Sequence, residues 1–219
     1  GGTVNVANNL DVVGSTSISS GALNIDATLQ TGTTAVNGGA VAVNATGTLA
    51  SAGAVDVSAG TMTSVLGGAI NAPTVNVSGT GGLVTGGSLT ASMVNLTGGT
   101  ASFDAGAALT VGELNIDNAI VTTNGMAAGV TKMTLNSGEL SISGDVTAGT
   151  IKLKGGLLRK TTASTATISG SEALRAGGSN VSVDQGTLII SVSAGGLYPE
   201  NGLIAHYTFD GDTLDSGPN

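Results

Sequence analysis

Between Val4 and Leu153 the chain repeats an apolar–polar–apolar triplet at nearly constant spacing. The triplets are Val4-Asn5-Val6, Leu23-Asn24-Ile25, Val41-Ala42-Val43, Val55-Asp56-Val57, Val75-Asn76-Val77, Val94-Asn95-Leu96, Leu114-Asn115-Ile116, Met133-Thr134-Leu135 and Ile151-Lys152-Leu153. Their starts lie 19, 18, 14, 20, 19, 20, 19 and 18 residues apart. Each triplet has the period-2 alternation of a short strand with one buried face, and the recurrence is the length of one winding of a parallel solenoid. The expectation is an all-β fold, a right-handed parallel β-solenoid (β-helix) of about 19 residues per coil. The right hand follows from the strong preference of crossovers between parallel strands.

Composition fits a thin stacked core. The chain has 219 residues but only two Phe, two Tyr and no Trp, so burial must come from Val, Ile, Leu and Ala accumulating coil upon coil. Its 37 glycines include doublets such as Gly38-Gly39, Gly86-Gly87 and Gly98-Gly99, suited to sharp corners between strands. One coil can be traced in full. Val75 to Val77 is a strand, Ser78 to Gly82 a turn, and Leu83-Val84 a second strand. Gly86-Gly87 is a corner, Leu89 a third inward position, and the next triplet starts at Val94. The middle Asn residues, Asn5, Asn24, Asn76, Asn95 and Asn115, either form an amide ladder along the rod or merely occupy outward positions.

On a solenoid, sequence position is height along the rod, so charge order is spatial order. Residues 1–131 contain six acids and no Lys or Arg, and all six basic residues lie between Lys132 and Arg175. The net charge of −8 with so small a basic footprint argues against nucleic acid as a partner. The six basic residues form one belt, with Lys152, Lys154, Arg159 and Lys160 as candidate interface residues, read either as a solvated face or as a docking collar for the acidic end of another copy. Cysteine is absent, which removes disulfides and thiolate metal sites. No apolar run approaches the roughly 18 residues of a membrane span, and the opening Gly1-Gly2-Thr3-Val4 reads as a mature or excised piece of a secreted precursor.

Near Leu197 the composition changes. Three of the four aromatics and the single His lie in the last 23 residues, which sets a boundary between a solenoid at 1–196 and a tail at 197–219. Leu203 to Phe209 reads as one strand, with Leu203, Ala205, Tyr207 and Phe209 on one face as a candidate interface. Asp210, Asp212 and Asp215 in the following turn have spacing that offers oxygen ligands to calcium, and no other cofactor is indicated. His206 stands alone and the acids are scattered along the rod, so no catalytic constellation is assembled and no enzymatic role is expected.

The repeats resemble the β-solenoid passengers of bacterial autotransporter-type surface proteins and filamentous adhesins. The segment Gly202-Leu203-Ile204-Ala205-His206-Tyr207-Thr208-Phe209-Asp210-Gly211-Asp212 is similar to the opening strand of a laminin-G or concanavalin-A-like lectin domain. These resemblances imply an extracellular or cell-surface setting in a bacterium. Two functions are expected, the first from a lone tail strand and an uncapped first coil that would each pair with another copy, the second from the lectin resemblance. One is a structural subunit that polymerises head-to-tail with itself into a surface or matrix filament. The other is the stalk of an adhesin displaying a lectin-like domain that binds surface glycans.

Overall fold

The computed structural model describes residues 1–170, 175–176 and 180–192. Among these residues there are twenty-one strands and no helix, and every strand pairing is parallel. The chain winds as a β-solenoid of about nine turns, roughly 19–20 residues each. The boundary expected at 196/197 and the whole tail lie outside the described residues.

Each turn has three faces. The first is built from residues 3–6, 22–25, 40–43, 61–64, 82–85, 100–103, 120–123, 139–142, 157–160 and 180–183, stacked in that order. The second runs through 10–12, 28–31, 48–51, 69–71, 88–91, 108–111, 126–130, 146–148, 165–170 and 187–192. The third holds 15–18, 33–36, 55–57, 74–77, 93–96, 113–116, 132–135, 150–153 and 175–176. The coil traced from Val75 is found as read, through Thr74–Val77, Gly82–Thr85 and Ser88–Leu96.

The triplet series, however, is two series. Its first three members stack on the first face, and from Val55 onward the members stack on the third. The 14-residue step from Val41 to Val55 is a change of face, not a short coil. The missing partners are Met62-Thr63-Ser64, which sits over Val41-Ala42-Val43, and Thr34-Ala35-Val36, which sits under Val55-Asp56-Val57. Each carries a hydroxyl side chain at an inward position, Ser64 or Thr34, and both are buried. A polar residue facing the core broke the pattern that the eye follows.

Inside the rod, one continuous column of small aliphatic side chains is formed, with Val36, Val43, Val57, Val77, Leu96, Ile116 and Leu135 fully buried. Phe103 is the one large aromatic in it among the described residues. At about 25 cal/mol per Å² of apolar surface, stabilisation accrues coil by coil, because each coil covers its neighbour and little else. The turn from the third face to the first depends on glycine. Gly39 (φ 75°) and Gly99 (φ 68°) are left-handed, and a Cβ there would lie 2.4 Å and 2.1 Å from the carbonyl oxygens of Gly21 and Gly81 one coil below. At these two corners the backbone of one coil lies against that of the next with no room for a side chain. In the equivalent turn between Ile116 and Ala119, Asn118 takes the left-handed conformation (φ 56°), as Asn tolerates best after glycine.

Coil partners from Thr3 to Lys160 lie 18 to 21 residues apart, save the bulged pair Asn37 and Ala59 at 22. Beyond Val146 the spacing widens to 22 for Val146 and Ile168 and 23 for Leu157 and Asn180.

Candidate functional surfaces

The outward column of the third face carries an amide ladder. Asn76 donates through Nδ2 to Asp56 Oδ1 (2.7 Å), Asn95 to Asn76 Oδ1 (3.0 Å) and Asn115 to Asn95 Oδ1 (3.1 Å). Asn24 donates to Asn5 (2.8 Å), but on the first face. The five Asn residues therefore belong to two separate stacks. A carboxylate suits the foot of the longer stack, because Asp56 can only accept. Asn44 finds Asp26 in the same way at a corner, at 2.7 Å.

Among the described basic residues, Lys132 and Arg159 are ion-paired within the rod. Lys132 bonds Glu113 at 3.1 Å, and Arg159 reaches Asp184 at 2.5 Å and Glu139 at 3.7 Å. The hydrogen bond with Asp184 raises the guanidinium pKa further, and the same bond from Arg159 holds the Asp184 carboxyl below its usual range. These groups are exposed or half-exposed, so the pairs contribute little to stability. Lys152 is half-buried in the outward column of the third face and Lys154 is exposed at the following corner.

Lys160 does not share this surface. It follows Leu158 and Arg159 by strict alternation, so it turns inward, and its side chain is fully buried above Ile142. Its Nζ donates to the backbone carbonyl and to the hydroxyl (2.7 Å) of Thr162. Burial pushes its pKa down. A buried ammonium cannot serve as a docking collar. Leu203, Ala205, Tyr207 and Phe209, together with the candidate calcium ligands Asp210, Asp212 and Asp215, lie outside the described residues. Among the described residues no three acidic or His side chains converge on a point.

Two surfaces escape a reading by triplets. One is the first coil. Residues 3–6, 10–12 and 15–18 have a strand partner on one side only, and the mouth above them is a cavity of about 350 Å³ lined by Val4, Val6, Leu10, Ile18 and Leu23 among others. Val4 and Leu10 are 59% and 45% exposed. The other is a groove along the corner between the second and third faces, about 960 Å³ in volume and reaching from Asp11 to Thr131. At this corner the alternation slips: Ala91 is buried, Ser92 and Met93 are both exposed, and Val94 is buried again. Two or three residues that are not buried recur at this corner in other coils, as at Ala52 to Ala54 and at Pro73 and Thr74, and that break in alternation was the available signal.

No family model matches the chain, and no curated protein or solved structure is significantly similar to it. What the fold and surfaces define is a class by architecture, a parallel β-solenoid. Within its described residues no helix is long and apolar enough to cross a membrane.

Proposed function

We propose that this chain is an extracellular structural protein without enzymatic activity, a rod whose copies associate head-to-tail into a surface or matrix filament. The observation that supports this reading is the stack itself, about nine coils of like width whose strands all run parallel. Any coil at an end of such a rod presents backbone donors and acceptors along the axis. An edge of this kind is a template for pairing. The surface that matches it best is another coil of the same polarity and width, such as the last described one, whose strands at 180–183 and 187–192 pair on one side among the described residues. A contact between opposite ends is heterologous, so it does not close and extends into a filament.

The test is sedimentation velocity and negative-stain electron microscopy of the chain over a range of concentrations. Polymers should grow with concentration, and Val4→Lys with Leu10→Lys should return them to single rods, since both side chains are exposed and tolerate charge in the isolated rod. Dispersed rods at all concentrations, or polymers indifferent to both substitutions, would overturn the reading. If instead a longer form of the protein binds glycans as a single rod, the chain is an adhesin stalk.

A further inference from the structure

We propose that the groove between the second and third faces binds a linear, uncharged glycan lying along the rod axis. This goes beyond self-association and does not depend on it. The groove spans seven coils, which is about 29 Å at the usual rung spacing of about 4.8 Å. One wall, the outward column of the second face, presents Gln30, Asn71, Thr90 and Thr110, interrupted by Ala50, and the corner beside it adds Pro73 and Ser92. None of the four first-wall side chains is hydrogen-bonded to another described residue. That contrasts with Asn76, Asn95 and Asn115 on the neighbouring face, whose amides bond one another. The groove therefore offers a row of free donors and acceptors at coil spacing beside an apolar lining.

Charge and backbone narrow the occupant. The lining contains no Lys or Arg and a single carboxylate, Asp11, at its first end, so it has nothing to neutralise a polyanion. An extended peptide is equally poorly served. The floor's backbone groups are already used between coils, as in Ser92 N–H to Pro73 O (3.0 Å), Ala52 N–H to Thr31 O (2.8 Å) and Gly53 N–H to Gly32 O (2.6 Å). A peptide would find no free edge here and would leave its own amides unpaired. A neutral glycan needs no edge. Its hydroxyls donate and accept, matching the amide and hydroxyl wall, and its C–H faces suit the Ala, Val and Pro surface.

Isothermal titration calorimetry with cellohexaose, xylohexaose and mannohexaose tests this, with hexagalacturonate as the anionic counterpart. Saturable binding of at least one neutral hexasaccharide is expected, with the anionic one weaker. The variant Asn71→Ala/Thr90→Val/Thr110→Val should lose about tenfold or more in affinity, the effect of removing a few hydrogen bonds, with an unchanged circular dichroism spectrum. Should that variant misfold, Thr90→Val and Ser92→Val singly give the same comparison. Three results would each overturn the proposal: no neutral hexasaccharide bound at millimolar concentration, equal affinity in the variants, or tighter binding of hexagalacturonate. Loss of polymerisation on altering these groove residues would assign the groove to a second copy of the chain and overturn it as well.

Discussion

Replacing Lys160 with Met should make the rod more stable. The side chain is fully buried, its ammonium has no carboxylate partner among the described residues, and two hydrogen bonds to Thr162 are its compensation. Withdrawing an ion from water costs several kcal/mol even after relaxation, whereas hydrogen bonds to a charged group return about 1.5–3 kcal/mol each. Methionine fills nearly the same volume without the ion. What it abandons is mild: the Thr162 hydroxyl still donates to the Ser143 carbonyl at 3.1 Å, and Thr162 is half-exposed, so water can reach its freed carbonyl. The net gain is about 1–3 kcal/mol, in line with other replacements of buried ionic groups by apolar ones. Urea titration followed by circular dichroism reads it as a raised midpoint, with the slope unchanged. The pH dependence supplies a second readout. The native pKa lies below the 10.5 of the free side chain, so between those values unfolding takes up a proton and stability rises with pH. It is fully present above 10.5 and is lost as pH falls through the native value. Lys160→Met should abolish that alkaline gain. A variant destabilised by more than about 1 kcal/mol, the mark of a disrupted core, would refute the reasoning.

Three other substitutions probe the rod elsewhere. Asn95→Ala removes two rungs of the amide ladder and should lower stability by about 1–2 kcal/mol, measured by urea titration against an Ala substitution at the exposed Thr90. Gly39→Ala forces a Cβ against the Gly21 carbonyl at 2.4 Å and a left-handed residue besides, so a loss above about 1 kcal/mol is expected. Gly14→Ala, with nothing within 4 Å, should be neutral or stabilising in the same urea titration. For Asp184, the lowered native pKa means that its contribution is present above 3.8 and is lost as pH falls through the native value, so Asp184→Asn should flatten the acid limb of the stability curve. A limb as steep as that of the parent chain would show that Arg159 does not hold the carboxylate.

The winding was readable because stacked strands leave a period in the sequence. Val75, Val94 and Leu114 recur at coil length for the simple reason that each sits on the last. Which of three faces a triplet belongs to was not readable, since Leu23-Asn24-Ile25 and Val94-Asn95-Leu96 have the same pattern on different faces. Ser64 and Thr34 completed the confusion by placing hydroxyls in the core, where neither finds a hydrogen-bond partner. The ladder was visible as a column of Asn residues, but its direction and its carboxylate foot depend on register. Lys160 was assigned to the surface on charge alone, although alternation from Leu158 turned it inward. The groove was hidden because it is made by a corner, where backbone bend and not residue type decides what faces out.

The hydrogen bonds that join one coil to the next run along the length of the rod, and this governs how it meets a mechanical load. A pull on the two ends does not shear many bonds side by side. It opens them a few at a time, from the end inward. Each coil that lets go frees 19–20 residues, or about 65 Å of slack at full extension. Stretched in this way, the protein would act as a serial shock absorber, yielding in even steps while the remaining coils keep their shape.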